Sequence, residues 1–172
     1  MAAAAADVAA REGAIDVLIN NAGVFGTHNP ADRITAADAS AVFEVNVVGI
    51  VRVTHAFLPL LRKSASPVIV NVSSGMGSFA ATHDAARVES RVIAPLYTAS
   101  KAAVTMLTTQ YAKSWPDVKV NAADPGYTAT DFNGHSGPQT VTEGTDAIVE
   151  LATIGADGPT GTFRDRHGAM AW

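Results

Sequence analysis

A chain of 172 residues, 48% of them hydrophobic and 16% charged, is long and apolar enough to form one globular domain with a buried core. The formal net charge of −4 and the lack of any basic run argue against a nucleic acid or an anionic membrane as partner. No cysteine is present, which excludes disulfides and thiolate metal sites, and the five scattered histidines lack the spacing of metal ligands.

The apolar segments indicate neither a membrane span nor a signal peptide. No uninterrupted apolar stretch approaches the ~18 residues that a spanning helix needs. The alanine-rich start at 2–6 is short, lacks a basic segment and runs into Asp7. We therefore expect a cytoplasmic protein.

The first third of the chain alternates helical and extended patterns. Residues 2–11 favour a helix that ends at Gly13, and the β-branched run at 15–19 predicts a buried strand. After a loop at 20–30, Thr35 is a plausible helix N-cap, and residues 43–61 are largely apolar and predict a long helix. Pro59 is expected to bend or end its last turns.

The rest of the chain continues this alternation around a polar, glycine-containing segment at 75–95 that lacks a regular pattern. The predicted elements are strands at 67–72, 118–122 and 160–164, and helices at 96–114 and 143–153. Strands that read as continuous apolar runs between helices predict an α/β fold, a parallel sheet with helices on both faces. We expect a single domain, 1-172.

Small and polar residues follow each of the first three predicted strands. Ligands of open parallel sheets bind at the carboxyl ends of the strands, so these residues should share one rim. They are Asn20 to Gly23, Ser73 to Gly75 and Asp124 to Thr128.

Asn46 interrupts an otherwise largely apolar helical segment. A buried amide needs hydrogen-bond partners, so Asn46 either ties down backbone or holds a water.

The sequence Y-T-A-S-K at 97–101 places a phenol and an ammonium one turn apart on one helix face. A nearby positive charge favours the phenolate and lowers a pKa that is ordinarily near ~10. Tyr97 could then exchange a proton with a substrate oxygen. By itself such a pair is more often a solvated helix face, and only the neighbouring motifs favour the catalytic interpretation.

Five motifs, taken together and in order, resemble those of the short-chain dehydrogenase/reductase family. They are N-N-A-G at 20–23, N-V-V-G at 46–49, V-N-V-S-S-G at 70–75, Y-T-A-S-K at 97–101 and P-G-Y-T-A-T at 125–130. The resemblance covers almost the whole chain. It implies a Rossmann-type doubly wound parallel sheet and NAD(P)-dependent interconversion of a carbonyl and an alcohol, with NADP favoured over NAD.

The resemblance also implies roles for individual residues. Tyr97 would be the general acid/base, Lys101 would lower its pKa and contact the nicotinamide ribose, and Ser74 would polarise the substrate carbonyl. Asn46 would hold a water of the proton relay. The residues that would border the cofactor, besides Tyr97 and Lys101, are Asn21, Ala22, Gly23, Pro125, Gly126, Tyr127, Thr128 and Thr130.

Structural alternatives remain open for several of these residues. Ser73 rather than Ser74 could be the catalytic serine, and both could simply end a strand. Asn20, Asn21 and Asn46 could pin neighbouring elements, and Pro125 with Gly126 could form only a turn. The charged residues before Tyr97 are interpreted as solvated groups rather than catalysts: His83, Asp84, Arg87, Glu89 and Arg91.

Two features depart from the family's pattern. Ser74 and Tyr97 are 23 positions apart, more than in compact members. This longer segment and the tail P-T-G-T-F-R-D resemble carbonyl-reductase-like members. The glycine-rich phosphate-binding turn is also missing, so the chain would contain only the part of the sheet formed by strands 4-5-6-7 of the family order.

This second departure predicts weak or no dinucleotide binding by the chain alone, with the strand at 15–19 at a sheet edge. The chain could be a truncated form or have a misassigned start, it could be completed by another polypeptide, or it could be an inactive remnant that serves as an interaction subunit. We favour the first two because the catalytic motifs are all retained.

The resemblance further implies an oligomer formed through the helices of Asn46 and Tyr97. The substrate cannot be inferred.

Overall fold

The computed structural model describes all 172 residues and centres on a five-stranded sheet whose spatial order equals the chain order. The strands are β1 Val17–Asn20, β2 Val68–Val72, β3 Lys119–Ala123, β4 Phe163–Asp165 and β5 Gly168–Ala169. The first four run parallel, and only β5 is antiparallel to its neighbour β4. The α/β class and the parallel sheet are confirmed, and β5 is an addition that the sequence pattern did not predict.

Six α-helices connect and cover these strands. They are α1 Ala2–Glu12, α2 Ala36–Phe43, α3 Gly49–Leu61, α4 Phe79–His83, α5 Pro95–Ser114 and α6 Val141–Ala152. Helix α6 packs on one face of the sheet, and α3 and α5 contact the other face. The predicted layers, with helices on both faces, are therefore present.

Strand β2 is the centre of the core, and all five of its residues are buried. Its alternating side chains face opposite sides of the sheet. Val68, Val70 and Val72 join the cluster that contains α6, and Ile69 joins the cluster that contains Leu61 of α3. Burying one such aliphatic side chain contributes about 1.5–3 kcal/mol, which explains why a continuous apolar run predicts this strand correctly.

A chain of amide hydrogen bonds crosses the same sheet. Asn20 of β1 and Asn71 of β2 are register partners, and the Asn20 Nδ2 donates to Asn71 Oδ1 at 2.8 Å. Asn20 also donates to Thr54 of α3 at 3.2 Å, and Asn71 donates to Thr108 of α5 at 2.9 Å. These buried amides are thus satisfied by one another and by the two helices, as buried polar groups must be.

The long helical segment begins after the predicted N-cap Thr35 and so extends beyond the predicted range 43–61. Thr35 caps α2 through a reciprocal capping box with Asp38, and the helix continues through a π-helical stretch, Glu44–Val48, into α3. Pro59 lies inside the last turn, which ends at Leu61, as expected. The complete segment Ala36–Leu61 is long and apolar enough to span a membrane by length and composition alone, although polar residues interrupt it. Here α3 packs against β1 and α1.

The segment 75–95 contains more regular structure than its polar sequence indicates. It comprises α4 and two short 3-10 turns, Gly75–Gly77 and Val88–Arg91. The Ser78 hydroxyl accepts the Ala81 N–H at the start of α4 and donates to the carbonyl of Ala171 near the end of the chain. Side-chain capping and contact with the tail therefore order a stretch without hydrophobic periodicity.

Strand β1 lies at one edge of the sheet and pairs only with β2. The side chains of Val17 and Ile19 are exposed in spite of their apolar character. The expected edge position of this strand is therefore observed.

Candidate active site

The carboxyl ends of β1, β2 and β3 form one rim, and helix α5 crosses it. Lys101 of α5 donates from Nζ to the carbonyl of Val72 at the end of β2, at 2.8 Å. A Cβ on Gly77 would come within 2.6 Å of the Lys101 carbonyl carbon, so only glycine lets the turn after β2 approach α5 this closely. Strand polarity and this backbone contact together bring Ser74, Tyr97 and Lys101 to the rim.

The two serines after β2 have different environments. Ser73 is buried and its hydroxyl donates to the Lys101 carbonyl at 3.1 Å, so it joins β2 to α5. Ser74 is half-buried, and its hydroxyl accepts the Met76 N–H. The same hydroxyl faces the Tyr97 phenol and lowers the phenol pKa, which partly opposes the effect of burial. This arrangement favours Ser74 over Ser73 as the residue that contacts a substrate.

Asn46 is placed by the π-helical stretch and binds the loop that follows β1. Its Oδ1 accepts the Val24 N–H at 2.8 Å, and its Nδ2 donates to the Val24 carbonyl and to Ser100, each at 2.9 Å. Both amide protons are therefore used by protein atoms. Of the two roles open to this side chain, tying down backbone is the one that these contacts perform.

Tyr97 and Lys101 lie together, as the helix spacing predicts, with Lys101 Nζ 5.6 Å from the centre of the Tyr97 ring. The pKa of Tyr97 does not move in the expected direction. Burial raises the pKa of Tyr97 to about 12 and lowers the pKa of Lys101 to about 8. In this structure loss of solvent, which disfavours the charged form of both groups, is the largest influence on each pKa.

Aromatic side chains from two loops account for the burial of Tyr97. Phe25 stacks on its ring with centroids 5.2 Å apart, and Phe132 lies 5.7 Å away on the other loop. His28 stacks on Phe25 at 4.8 Å. A cavity of about 90 Å³ reaches Tyr97 between Phe25, His28 and Ile93. No pattern in the sequence singled out Phe25 or Phe132, because the contact joins loops after different strands.

Two carboxylates near the rim are also less exposed than the sequence indicates. Asp124, directly after β3, is 5% exposed, and the Glu89 side chain is 11% exposed. Glu89 pairs with Arg87 at 2.8 Å and lies beside Gly75. The interpretation of Glu89 as a solvated charge was therefore wrong, because the 75–95 segment folds back over the turn that carries Ser74.

The residues expected to border a cofactor occupy two loops of this rim. Asn21 and Ala22 are exposed, and Gly23 lies beside Lys101 and Asn46: a Cβ there would be 3.5 Å from Lys101 Nζ. The other loop holds five of them, namely Pro125, Gly126, Tyr127, Thr128 and Thr130.

The second loop is ordered by its own hydrogen bonds. Gly126 has a φ of 68°, a conformation that favours glycine, and Thr128 donates to the Pro125 carbonyl at 2.9 Å. Tyr127 is exposed and bonds to Ser136, and the Thr130 N–H donates to Asn133. The Thr128 hydroxyl therefore has a local role here.

The donor set fits one half of a nicotinamide dinucleotide. Lys101 uses one of its three ammonium protons on Val72, so two remain for the hydroxyls of a ribose at the open rim. The helix-opening glycine-rich turn that binds the pyrophosphate in such folds does not occur in the sequence. No cluster of acidic, histidine or cysteine side chains could hold a metal ion.

Comparison with known proteins agrees with the fold and the motifs. The family description "short chain dehydrogenase" matches residues 1–140, and the chain belongs to this family. It is 38% identical to the short-chain dehydrogenase anuI of Penicillium roqueforti, over 90% of this chain and 63% of that protein. It is 29% identical to (-)-isopiperitenone reductase of Mentha piperita, over 99% of this chain and 76% of that protein.

Among solved structures, the NADPH-bound carbonyl reductase from chicken fatty liver superposes with a TM-score of 0.87 at 31% identity, over 99% of this chain and 72% of that one. Salutaridine reductase from Papaver somniferum superposes with a TM-score of 0.82 at 28% identity. The chain thus has a carbonyl-reductase-like fold that is partial relative to these neighbours, and it spans less than two thirds of the Penicillium relative.

Proposed function

We propose that this chain carries the catalytic residues of an NADPH-dependent reductase that interconverts a ketone or aldehyde and the corresponding alcohol. The observation that carries the proposal is the convergence of Ser74, Tyr97 and Lys101 at the carboxyl end of the sheet. A carbonyl-reductase-like relative with bound NADPH supports the choice of cofactor.

In this reaction a nicotinamide cofactor supplies the hydride that the carbonyl carbon receives. The Ser74 hydroxyl would donate its proton in a hydrogen bond to the carbonyl oxygen, which becomes negatively charged as the hydride arrives. Tyr97 then gives its phenol proton to that oxygen, and the product is an alcohol. A phenol with a pKa of about 12 is fully protonated at neutral pH and is ready for this direction.

Lys101 and Asn46 support this chemistry in different ways. The Lys101 ammonium lies next to the Tyr97 ring and has two free protons for the ribose of a cofactor. Asn46 holds the Val24 backbone, so it fixes the loop of Asn21, Ala22 and Gly23 along which the nicotinamide would lie. The turn from Pro125 to Thr128 would border the other side of the nicotinamide ring.

The pyrophosphate and adenosine contacts would come from polypeptide that lies against β1. The free edge of β1 provides the backbone groups for a further parallel strand there. A second interface would join copies of the chain through α5 and the π-helical segment, where Val45, Val48 and Val51 expose apolar surface. In both respects the functional unit is larger than one isolated chain.

The experiment is a cofactor titration followed by an activity assay. NADPH and NADH are titrated into the chain while thermal stability is followed, and NADPH oxidation is then measured with a panel of ketones and aldehydes. We expect Tyr97→Phe to reduce any carbonyl reduction by at least about 100-fold. Tyr111→Phe is the matched control, because Tyr111 lies on the same helix but stacks on Trp115.

Two outcomes would contradict the proposal at different levels. If millimolar cofactor does not bind, this chain by itself is not an enzyme, and the alternative of an inactive family member that serves as a structural or interaction subunit is favoured. The exposed β1 edge is the feature that supports this alternative. If Tyr97→Phe retains full activity, the assignment of Tyr97 as the proton donor is wrong.

A further inference from the structure

Asp124 joins the two turns that form the floor of the site. It directly follows β3, and its Oδ1 accepts the Gly126 N–H at 2.9 Å within the turn that starts at Pro125. Gly75 lies against the same carboxylate: a Cβ there would be only 3.0 Å from Asp124 Oδ2, and the Gly75 N–H lowers the Asp124 pKa. One nearly buried carboxylate therefore fixes the turn that carries Ser74 relative to the turn that would border the nicotinamide.

Several charged or titratable groups face this carboxylate from the surrounding elements. Tyr97 and Lys101 face it from α5, and Asp165 faces it from β4. Glu89 faces it from the Val88–Arg91 turn, and Arg87 faces it from the position just before that turn. Arg87 is engaged by Glu89. Burial raises the pKa of Asp124, and the backbone N–H groups of Gly126 and Gly75 oppose this rise by favouring the ionised form.

We propose that Asp124 is a positioning residue that holds the Ser74 turn in place and, through its negative charge, keeps the Tyr97 phenol and the Lys101 ammonium protonated. Its effect on these two groups does not depend on enzyme activity, whereas its consequence for catalysis rests on the function proposed above. The motifs that identify the family do not include this residue.

The sign of the effect follows from electrostatics. A nearby negative charge disfavours the phenolate and favours the ammonium, so Asp124 raises the pKa of both Tyr97 and Lys101. For Lys101 this partly offsets the opposite effect of burial. A protonated Tyr97 is the form that donates to a reduced carbonyl, so Asp124 extends carbonyl reduction toward alkaline pH.

The first test measures phenolate formation in the cofactor-free chain. The phenolate signal of Tyr97 is obtained as a difference: the alkaline absorbance spectrum of the same protein carrying Tyr97→Phe is subtracted from that of each protein. The spectra are recorded at the highest pH at which circular dichroism shows all proteins folded. Asp124→Asn removes the charge and retains an acceptor for Gly126, and Asp124→Ser does the same with a hydroxyl if the asparagine variant does not fold. Removing the charge should lower the Tyr97 pKa by at least about half a pH unit, or about threefold more phenolate.

The control is Asp165→Asn, which removes another carboxylate near Asp124. The Asp165 carboxylate accepts a hydrogen bond only from the His167 N–H. We expect it to leave the Tyr97 phenolate fraction unchanged. Equal phenolate fractions in the parent chain and the Asp124 variants would overturn the proposal, and so would an equal shift in the Asp165 control.

The second test is the pH profile of carbonyl reduction in a preparation that binds NADPH. With Asp124→Asn the alkaline limb should move to lower pH, whereas a purely structural role would reduce the rate equally at every pH. A shifted phenolate titration in a chain that reduces no carbonyl would contradict the proposed function and leave the electrostatic role of Asp124 standing. An unshifted phenolate titration in an enzyme that reduces carbonyls would contradict the electrostatic role of Asp124 and leave the proposed function standing.

Discussion

The ammonium of Lys101 lies over the ring of Tyr97, 5.6 Å from its centre, while its hydrogen bond goes to the carbonyl of Val72. The pair that the sequence places on one helix face is therefore also held to the sheet. Burial is the largest influence on both groups and moves the two pKa values in opposite directions. The protonation of Tyr97 and Lys101 thus depends on their burial at least as much as on the charge that each presents to the other.

Replacement of Lys101 by methionine should change how stability depends on pH. The folded-state pKa of about 8 lies below the unfolded value of 10.5, so the unfolded chain binds more protons between these pH values. The contribution of Lys101 to the free energy of unfolding therefore rises as pH increases from about 8 to 10.5, by up to about 3 kcal/mol. Lys101→Met should remove this rise, and urea unfolding at pH 7, 8.5 and 10 measures it.

The exposed Lys113 near the end of the same helix provides the control for that measurement. Lys113→Met should leave the pH dependence of the parent chain unchanged. A parallel pH dependence for Lys101→Met and the parent chain would show that Lys101 keeps an ordinary pKa in the folded state.

Truncation of Phe132 should bring the Tyr97 pKa down from about 12 toward its ordinary value. Phe132 covers the phenol from the loop after β3, and its loss admits water that stabilises the phenolate. Alkaline absorbance titration of Phe132→Ala, corrected by the same variant with Tyr97→Phe, measures the change. The exposed Phe79, which makes no aromatic contact with Tyr97, gives the control Phe79→Ala; if both variants leave the titration unchanged, Phe132 does not desolvate the phenol.

Loss of the Asn46 side chain should destabilise the fold and loosen the loop after β1. Asn46→Ala deletes three hydrogen bonds and leaves the N–H and carbonyl of Val24 without their partner. We expect a loss of about 2–4 kcal/mol in the free energy of unfolding, measured with urea, and faster amide hydrogen exchange at Val24. Asn29→Ala changes an exposed amide in the same loop region and should cost less than about 0.5 kcal/mol. Similar losses for the two variants would argue against the anchoring role.

A methyl group at Gly77 should separate the turn of Ser74 from α5. The added Cβ would lie 2.6 Å from the Lys101 carbonyl carbon and 2.7 Å from its oxygen, so the backbone must move. Gly77→Ala is expected to lower the free energy of unfolding by about 1–3 kcal/mol, as overpacking of a tight contact does. Thermal and urea unfolding measure this loss.

Gly155→Ala is the matched control, because a Cβ at Gly155 would meet no atom within 4 Å. It should change stability by less than about 0.5 kcal/mol. If Gly77→Ala is as stable as Gly155→Ala, the contact between the Ser74 turn and α5 is not as tight as the structure shows.

The predicted elements agree with the structure where one strong local signal acts. The apolar run 67–72 becomes β2, and the pattern 96–114 becomes α5, because burial on both faces of a sheet and helix periodicity leave direct traces in the sequence. Thr35 was predicted as an N-cap and is one, although the predicted long helix covered only 43–61, and the antiparallel β5 was not predicted. A two-residue strand is defined by its partner β4, and its own residues carry no distinctive pattern.

The residues of the site divide in the same way. Their types and order, from Asn46 through Ser74 to Tyr97 and Lys101, are written in the sequence, and parallel-strand polarity is enough to place them on one rim. The environment of each residue depends on contacts between distant segments. Burial of Tyr97 by Phe25 and Phe132, the use of both Asn46 amide protons, and the folding of Glu89 toward Gly75 arise only when three loops meet.

The sequence by itself therefore determined which chemical groups this protein brings to its sheet and in what order. Only the tertiary structure decided their protonation and their partners, including the place of Asp124 between the two turns. The physical reason is that a side chain's identity is local, whereas its pKa depends on how much water and which charges surround it after folding. For Tyr97, those surroundings raise the pKa, whereas helix spacing alone predicts that it falls.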